Sequence, residues 1–291
     1  ALWVLGVCYD NGYGVEQDYK KAIEFYKESA KLGNSDALNC LGYSYENGNG
    51  VEQDMYKALK YYIQSAEKGN SNALNCLGYC YENGVGIDKD MSKAIEFYKR
   101  AADLGNPTAL NYLGFCYENG IGVDQDISKA IELFDKAAQL GNSKAFYNLG
   151  LLFEEGDEVD QDKSKAVELF QKAADLGDPE ACYKLALYYD KGNDVVEQDF
   201  SKALSLYQKA ADHGEPNAMY NLGLLYLKGN GVDQDYSKAA GFYQCGSELG
   251  NIEATTNLGS LYYYGRGFTK DCSKAAEYYK KAAELGDPSA L

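Results

Sequence analysis

The 291-residue sequence has one histidine, one tryptophan and four prolines. It contains no apolar run of the ~18 residues that a membrane-spanning helix needs, so helical insertion into a bilayer is excluded. The lone His213 has no Ser or Cys that position would assemble with it into a base–nucleophile set, so a structural role is the expected one. Positive charge is scarce: 28 Lys and Arg stand against 44 Asp and Glu, for a net charge of −16. Such a chain is repelled by phosphate backbones and anionic membrane surfaces, so nucleic acid is not an expected partner; a basic or neutral one is. No N-x-[ST] sequon is present.

What is abundant is repetition. Ala1, Ala37, Ala73, Ala109, Ala145 and Ala181 lie 36 residues apart; after one extra residue come Ala218, Ala254 and Ala290. The chain therefore divides into 1–36, 37–72, 73–108, 109–144, 145–180, 181–217, 218–253 and 254–289, with 290–291 opening a ninth repeat. Residue 1 already lies inside a repeat, so the sequence is expected to be part of a longer chain.

Each repeat predicts two helices. In the first, A, Leu recurs at position 5 (Leu5 to Leu258), and position 6 is Gly in every repeat except at Ala186. Gly inside a helix costs about 1 kcal/mol relative to Ala, so close approach of the partner helix is expected to require it. Position 9 is always Tyr or Phe, an expected wedge between helices. The second helix, B, starts after a recurring Asp (Asp18 to Asp271), whose carboxylate suits the free N–H groups of a first turn. It ends at a recurring Gly (Gly33 to Gly286), suited to a left-handed cap. Asn106-Pro107, Asp178-Pro179 and Asp287-Pro288 restart the following helix, with Pro where no N–H is needed.

The loop between A and B, as in "ENGVGIDKD" at Glu82–Asp90, invites a phosphate- or calcium-binding reading. The G-x-x-x-x-G-K-[ST] pattern is absent, and the order of acids and glycines is the reverse of an EF-hand loop. Repeats five and six lack the second Gly, carrying Asp157 and Glu158, and Asn193 and Asp194. The loop is punctuation: one Gly ends A, the second turns the chain, and the Asp caps B.

Period and pattern together, as in "ALNYLGFCYENGIGVDQDISKAIELFDKAAQLGN" (Ala109–Asn142), resemble the Sel1-like repeat, a relative of the tetratricopeptide repeat. The resemblance covers essentially the whole chain. It implies an all-α, right-handed α/α superhelix, a solenoid of eight 36-residue helix-turn-helix repeats, with A helices on the concave face. It also implies a non-catalytic adaptor or scaffold. Physics alone requires stacking, because one helix pair cannot bury its own apolar face.

If A helices line a groove, positions 3, 4, 7, 10 and 11 point into it, and four of these rows form ladders in the early repeats. These are Asn39, Asn75 and Asn111; Tyr43, Tyr79 and Phe115; Glu46, Glu82 and Glu118; and Asn47, Asn83 and Asn119. An Asn amide both donates to and accepts from a peptide unit. Helices pack about 8–10 Å apart and an extended peptide rises about 3.3 Å per residue, so one Asn per repeat meets about every third peptide residue. The acidic row favours Lys or Arg in that peptide, and the aromatic row offers cation–π contact. Farther on, Leu151, Leu187 and Leu224 suggest an apolar docking patch or partly packed core. A clamp for an acidic tail would need cations here, and only Lys184, Lys191 and Lys228 are candidates.

The eight cysteines do not recur as pairs. Cysteine-rich members of the resembled family bridge the end of B to the next A; Cys182 matches one half of that pattern, but Ala174 and its neighbours supply no partner. Free thiols and a reducing, cytoplasmic setting are expected. Cys76 and Cys80, with Cys40 and Cys116 nearby, suit packing better than zinc, and no cofactor is called for. Ser65-Ala66-Glu67-Lys68 matches S-x-x-K of penicillin-recognising enzymes without its companion motifs. Three functions follow, in order of preference. They are a protein- or peptide-binding scaffold, a β-lactamase-like hydrolase as linked to some cysteine-rich relatives, and an architectural spacer that stacks end to end.

Overall fold

The computed structural model describes residues 1–156 and 160–286. Asp157 and Glu158, the Asp287-Pro288 restart and the opening of the ninth repeat lie outside the described residues. Among the described residues there are sixteen α-helices and no strand. The chain forms two compact units, Ala1–Ala145 and Phe146–Leu291. The first holds α1 (Leu2–Asn11), α2 (Tyr19–Lys31), α3 (Ser35–Asn47), α4 (Met55–Glu67), α5 (Ser71–Asn83), α6 (Met91–Asp103), α7 (Pro107–Asn119) and α8 (Ile127–Gln139). Helix α9 (Ser143–Glu155) lies mostly in the second. That unit continues with α10 (Lys163–Asp175), α11 (Pro179–Lys191), α12 (Phe200–Asp212), α13 (Pro216–Lys228), α14 (Tyr236–Glu248), α15 (Ile252–Tyr264) and α16 (Cys272–Glu284). Odd-numbered helices are the A helices and even-numbered ones the B helices. Within each unit A packs on its own B and B on the next A, the one-dimensional stacking of an all-α solenoid.

The helix ends follow from the recurring residues. Each of the eight B helices starts at its Asp, whose carboxylate accepts a first-turn backbone N–H, as Asp126 does from Lys129 at 2.9 Å. The A helices have a second, unforeseen capping row. Asn70 Oδ1 accepts from the Ala73 N–H, while its Nδ2 donates to Asp36 Oδ1 of the preceding repeat at 2.8 Å. Asn106 does the same toward Ala109 and Asn72, and Asn251 toward Ala254 and Asn217. One buried side chain thus starts a helix and ties it to its neighbour.

Close approach explains the mid-helix glycines. A Cβ on Gly78 would sit 2.7 Å from the ring of Tyr98, and one on Gly114 equally near Phe134. The B-helix aromatics Tyr26, Tyr62, Phe134, Phe170, Tyr207 and Tyr243 are fully buried, worth about 1.5–3 kcal/mol each. The position-9 aromatics act as expected: Tyr45 stacks on Tyr61 with centroids 5.6 Å apart, and Lys57 lies over the Tyr45 ring. The second loop glycine does more than turn the chain. A Cβ on Gly50 would meet the Tyr19 carbonyl oxygen of the preceding repeat at 2.6 Å.

Candidate functional site

In the first unit, α3, α5 and α7 run side by side in sequence register and present the predicted ladders. A cleft of about 420 Å³ opens there, its wall including Glu46, Asn75, Tyr79, Glu82 and Asn83. Five of the twelve predicted residues therefore meet at one place. Asn39, Tyr43 and Asn47 belong to the rung before it, and Asn111, Phe115, Glu118 and Asn119 to the rung after. Tyr43, Tyr79 and Phe115 are exposed; Tyr79 keeps 50% of its surface.

The rungs differ in chemistry. Asn39 Oδ1 and Asn75 Oδ1 are closed off from solvent and meet no hydrogen-bond donor. A buried acceptor left unpaired costs about 1–3 kcal/mol. The position-11 amides are committed to their own helix ends: Asn47 donates to Tyr43 O at 2.9 Å, Asn83 to Tyr79 O at 3.0 Å and Asn119 to Phe115 O at 2.9 Å. They close the last turn of A rather than reach across the cleft.

The acidic row is held from beneath by B-helix tyrosines. Tyr62 donates to Glu46 Oε2, Tyr98 to Glu82 Oε2 at 2.8 Å and Tyr26 to Asp10 at 3.0 Å. Tyr112 of the next A helix donates to Glu82 Oε1. Burial, reinforced by neighbouring negative charge, raises the Tyr62 and Tyr98 phenols far above their ordinary range, so they remain donors. Sequence reading missed these tyrosines because they recur as core aromatics, and nothing in the helical period separates a core phenol from a supporting one.

Cys76 lies on the cleft wall; burial, then the Glu46 charge, pushes its thiol up to about 11. Burial first, then the nearby glutamates, pushes Cys80 and Cys116 up to about 12. These are packing thiols, and among the described residues no group of three His, Cys, Asp or Glu is placed to hold a metal. Cys182 Sγ faces the Ala174 carbonyl at 3.9 Å. His213 ends α12, with Nδ1 2.9 Å from Lys209 O. Ser65 is fully buried and donates to Ser35 O at 2.7 Å, which removes it as a nucleophile in this geometry.

A larger cleft, about 630 Å³, lies among α6, α7 and α8 and contains none of the predicted residues. Its apolar floor includes Leu110 and Leu133; at its rim, Lys129 and Lys136 both pair with Glu132. In the second unit Leu151, Leu187 and Leu224 are partly buried against the core, so that row is packing.

The Sel1 repeat family model matches residues 1–34, 35–70, 71–106, 107–142, 143–178, 179–215, 216–251 and 252–287, boundaries that start at each A helix. No curated protein matches the chain. Among solved structures it is similar to c5321, a protective antigen of uropathogenic Escherichia coli strains displaying an SLR fold. There the identity is 33%, the TM-score 0.74, and the match covers 99% of this chain and 62% of that one. A Sel1 repeat protein from Oxalobacter formigenes is 32% identical with a TM-score of 0.74, over 86% of this chain and 99% of the other. Yeast Tom70, 17% identical with a TM-score of 0.50 over 99% of this chain and 61% of its own, shares the fold alone. With eight consecutive units matched from residue 1 to residue 287, the chain belongs to the Sel1 repeat family.

Proposed function

We propose that this protein is a non-catalytic interaction scaffold that binds an extended, basic segment of a partner along the A-helix ladders of the first unit. Sel1 repeat proteins are generally protein-interaction scaffolds. The observation that carries the reading is the cleft, whose wall brings Asn75 together with the carboxylates of Glu46 and Glu82 and the exposed Tyr79 ring. A peptide backbone laid along the cleft offers both a donor and an acceptor to a side-chain amide. The net charge of −16 and the glutamate row favour a basic segment. The sequestered Ser65 hydroxyl supports the non-catalytic reading.

The test is binding to an arrayed random-peptide library at two salt concentrations. Enrichment of basic peptides that weakens at the higher salt is the expected result. An array without enrichment at either salt sinks the proposal and leaves a folded partner as the alternative.

A further inference from the structure

The acidic row offers an internal comparison between repeats. In the second unit, Glu154 occupies position 10 of its repeat, and thirty residues on, Lys184 of the next A helix places Nζ 2.8 Å from Glu154 Oε2. The Tyr188 hydroxyl donates to Glu154 Oε1 at 2.9 Å. This is an ammonium seated on a carboxylate, with a phenol fixing the carboxylate from the other side. The same thirty-residue step runs from Glu82 to Tyr112 and from Glu46 to Cys76. In the first unit, then, the register places a phenol and a thiol where the second unit places a lysine.

The consequence is an uncompensated charge. The cleft wall contains two carboxylates, Glu46 and Glu82, and no Lys, Arg or His. Their hydrogen bonds come from neutral hydroxyls, and among the described residues neither makes an ion pair. The exposed Tyr79 ring stands at the same opening, and Tyr112 lines it as well. Carboxylates that keep lone pairs free beside aromatic faces complement a cation.

We infer that this cleft seats one lysine side chain of the bound segment, its ammonium taking at Glu46, where the short Cys76 side chain stands, the place that Lys184 takes at Glu154, with Glu82 on the same wall. The inference rests on the peptide-binding reading above and names the side chain that the site selects. Lysine is favoured over arginine by geometry. Glu46 Oε2 already accepts the Tyr62 phenol and both Glu82 oxygens accept phenols, so neither carboxylate offers two unengaged oxygens for the parallel bonds of a guanidinium fork. An ammonium needs only the remaining lone pairs, with three donors to direct at them. At Glu154 the equivalent place is filled by the chain's own Lys184.

The experiment uses the whole chain and arrays of random nonapeptides with a fixed central residue: lysine, arginine, norleucine or trimethyllysine. The lysine array is expected to bind best, about tenfold over norleucine, the factor expected of a charge-assisted hydrogen bond. Glu46→Gln, isosteric and able to keep the Tyr62 bond at its remaining oxygen, is expected to abolish that preference while leaving the helical circular dichroism unchanged. Lys184→Cys copies repeat three at this place and is expected to raise the bound lysine peptides from one to two per chain. Equal binding of lysine and norleucine overturns this inference and leaves peptide binding standing; a silent array overturns both. Trimethyllysine binding above lysine would assign recognition to the aromatic rings and overturn the carboxylate role. A count that stays at one with Lys184→Cys overturns the equivalence of the two places.

Discussion

Tyr62 reaches across from a B helix to donate its hydroxyl to Glu46, sixteen residues upstream. Tyr243 occupies the same place in its own repeat, but Leu227 stands where the acid would be, and the Tyr243 hydroxyl is buried, near Asn257 but in no well-formed hydrogen bond. One substitution should therefore have opposite effects at the two positions. Tyr62→Phe loses a bond to a charged acceptor and is expected to lower stability by about 1–2 kcal/mol. Tyr243→Phe removes an unpaired buried hydroxyl and is expected to raise stability by about 1 kcal/mol. Urea midpoints of the two variants decide it; a loss at both positions would mean that Tyr243 finds a partner in solution.

The glycine–aromatic pairs make a second prediction. Gly78→Ala gains about 1 kcal/mol of helix propensity. It also drives a methyl to 2.7 Å from the ring of Tyr98, itself only 3% exposed and unable to yield. Overpacking of this kind costs about 1–3 kcal/mol, so net destabilisation with a lower thermal midpoint is expected. Repeat six has Ala186 at this place opposite Tyr207, both fully buried. There Ala186→Gly should destabilise by about 1 kcal/mol or more, from lost propensity and the void left behind. If Gly78→Ala proved neutral, the steric account of the glycine row would fail.

The repeat, its helices and their ends were legible because each depends on local chemistry: an Asp before a first turn, a Gly after a last one, Leu and aromatic residues at helical spacing. The Asn70 and Asn106 ties between repeats were not, since their second bond joins residues 34 apart in sequence and no local pattern signals it. The candidate cleft was legible in part. Glu46, Asn75, Tyr79, Glu82 and Asn83 meet as the ladders imply. What the ladders could not show was which polar atoms are already engaged. Asn83 reads like Asn75, yet one closes its own helix and the other has a buried Oδ1 that meets no donor. Tyr112 lies at a position filled by cysteine in the two repeats before it, so its place above Glu82 emerges only from packing.

Buried thiols and phenols are expected to set the alkaline limit of the fold. Cys76 is pushed up to about 11 and Cys80 and Cys116 to about 12, chiefly by burial, and Tyr26, Tyr62 and Tyr98 are raised further. Thiols of the unfolded chain ionise near 8.5, so above that pH the unfolded state holds fewer protons than the folded one and stability falls. The stabilisation is expected to be complete below about pH 8 and to drain away as pH rises through about 9 to 12. Urea midpoints measured from pH 7 to 10.5 check it. Replacing Cys76, Cys80 and Cys116 together by Ala should flatten the onset near pH 9, and an unchanged slope would assign the effect to tyrosines alone.

Asn75 gives the sharpest separation of binding from folding. Its Oδ1 is buried and unpaired, a cost to the free protein of about 1–3 kcal/mol. Alanine at this helical position removes that cost and adds helix propensity. Asn75→Ala is therefore expected to raise the urea midpoint while weakening peptide binding, because Asn75 lines the cleft in which the peptide would lie. Adding Asn111→Ala should weaken binding again, since one amide per repeat meets the peptide in this reading. A residue held only for packing would show the reverse pattern, lower stability with affinity unchanged. Binding by the double variant equal to that of the unaltered protein would move the partner off the A-helix ladder altogether.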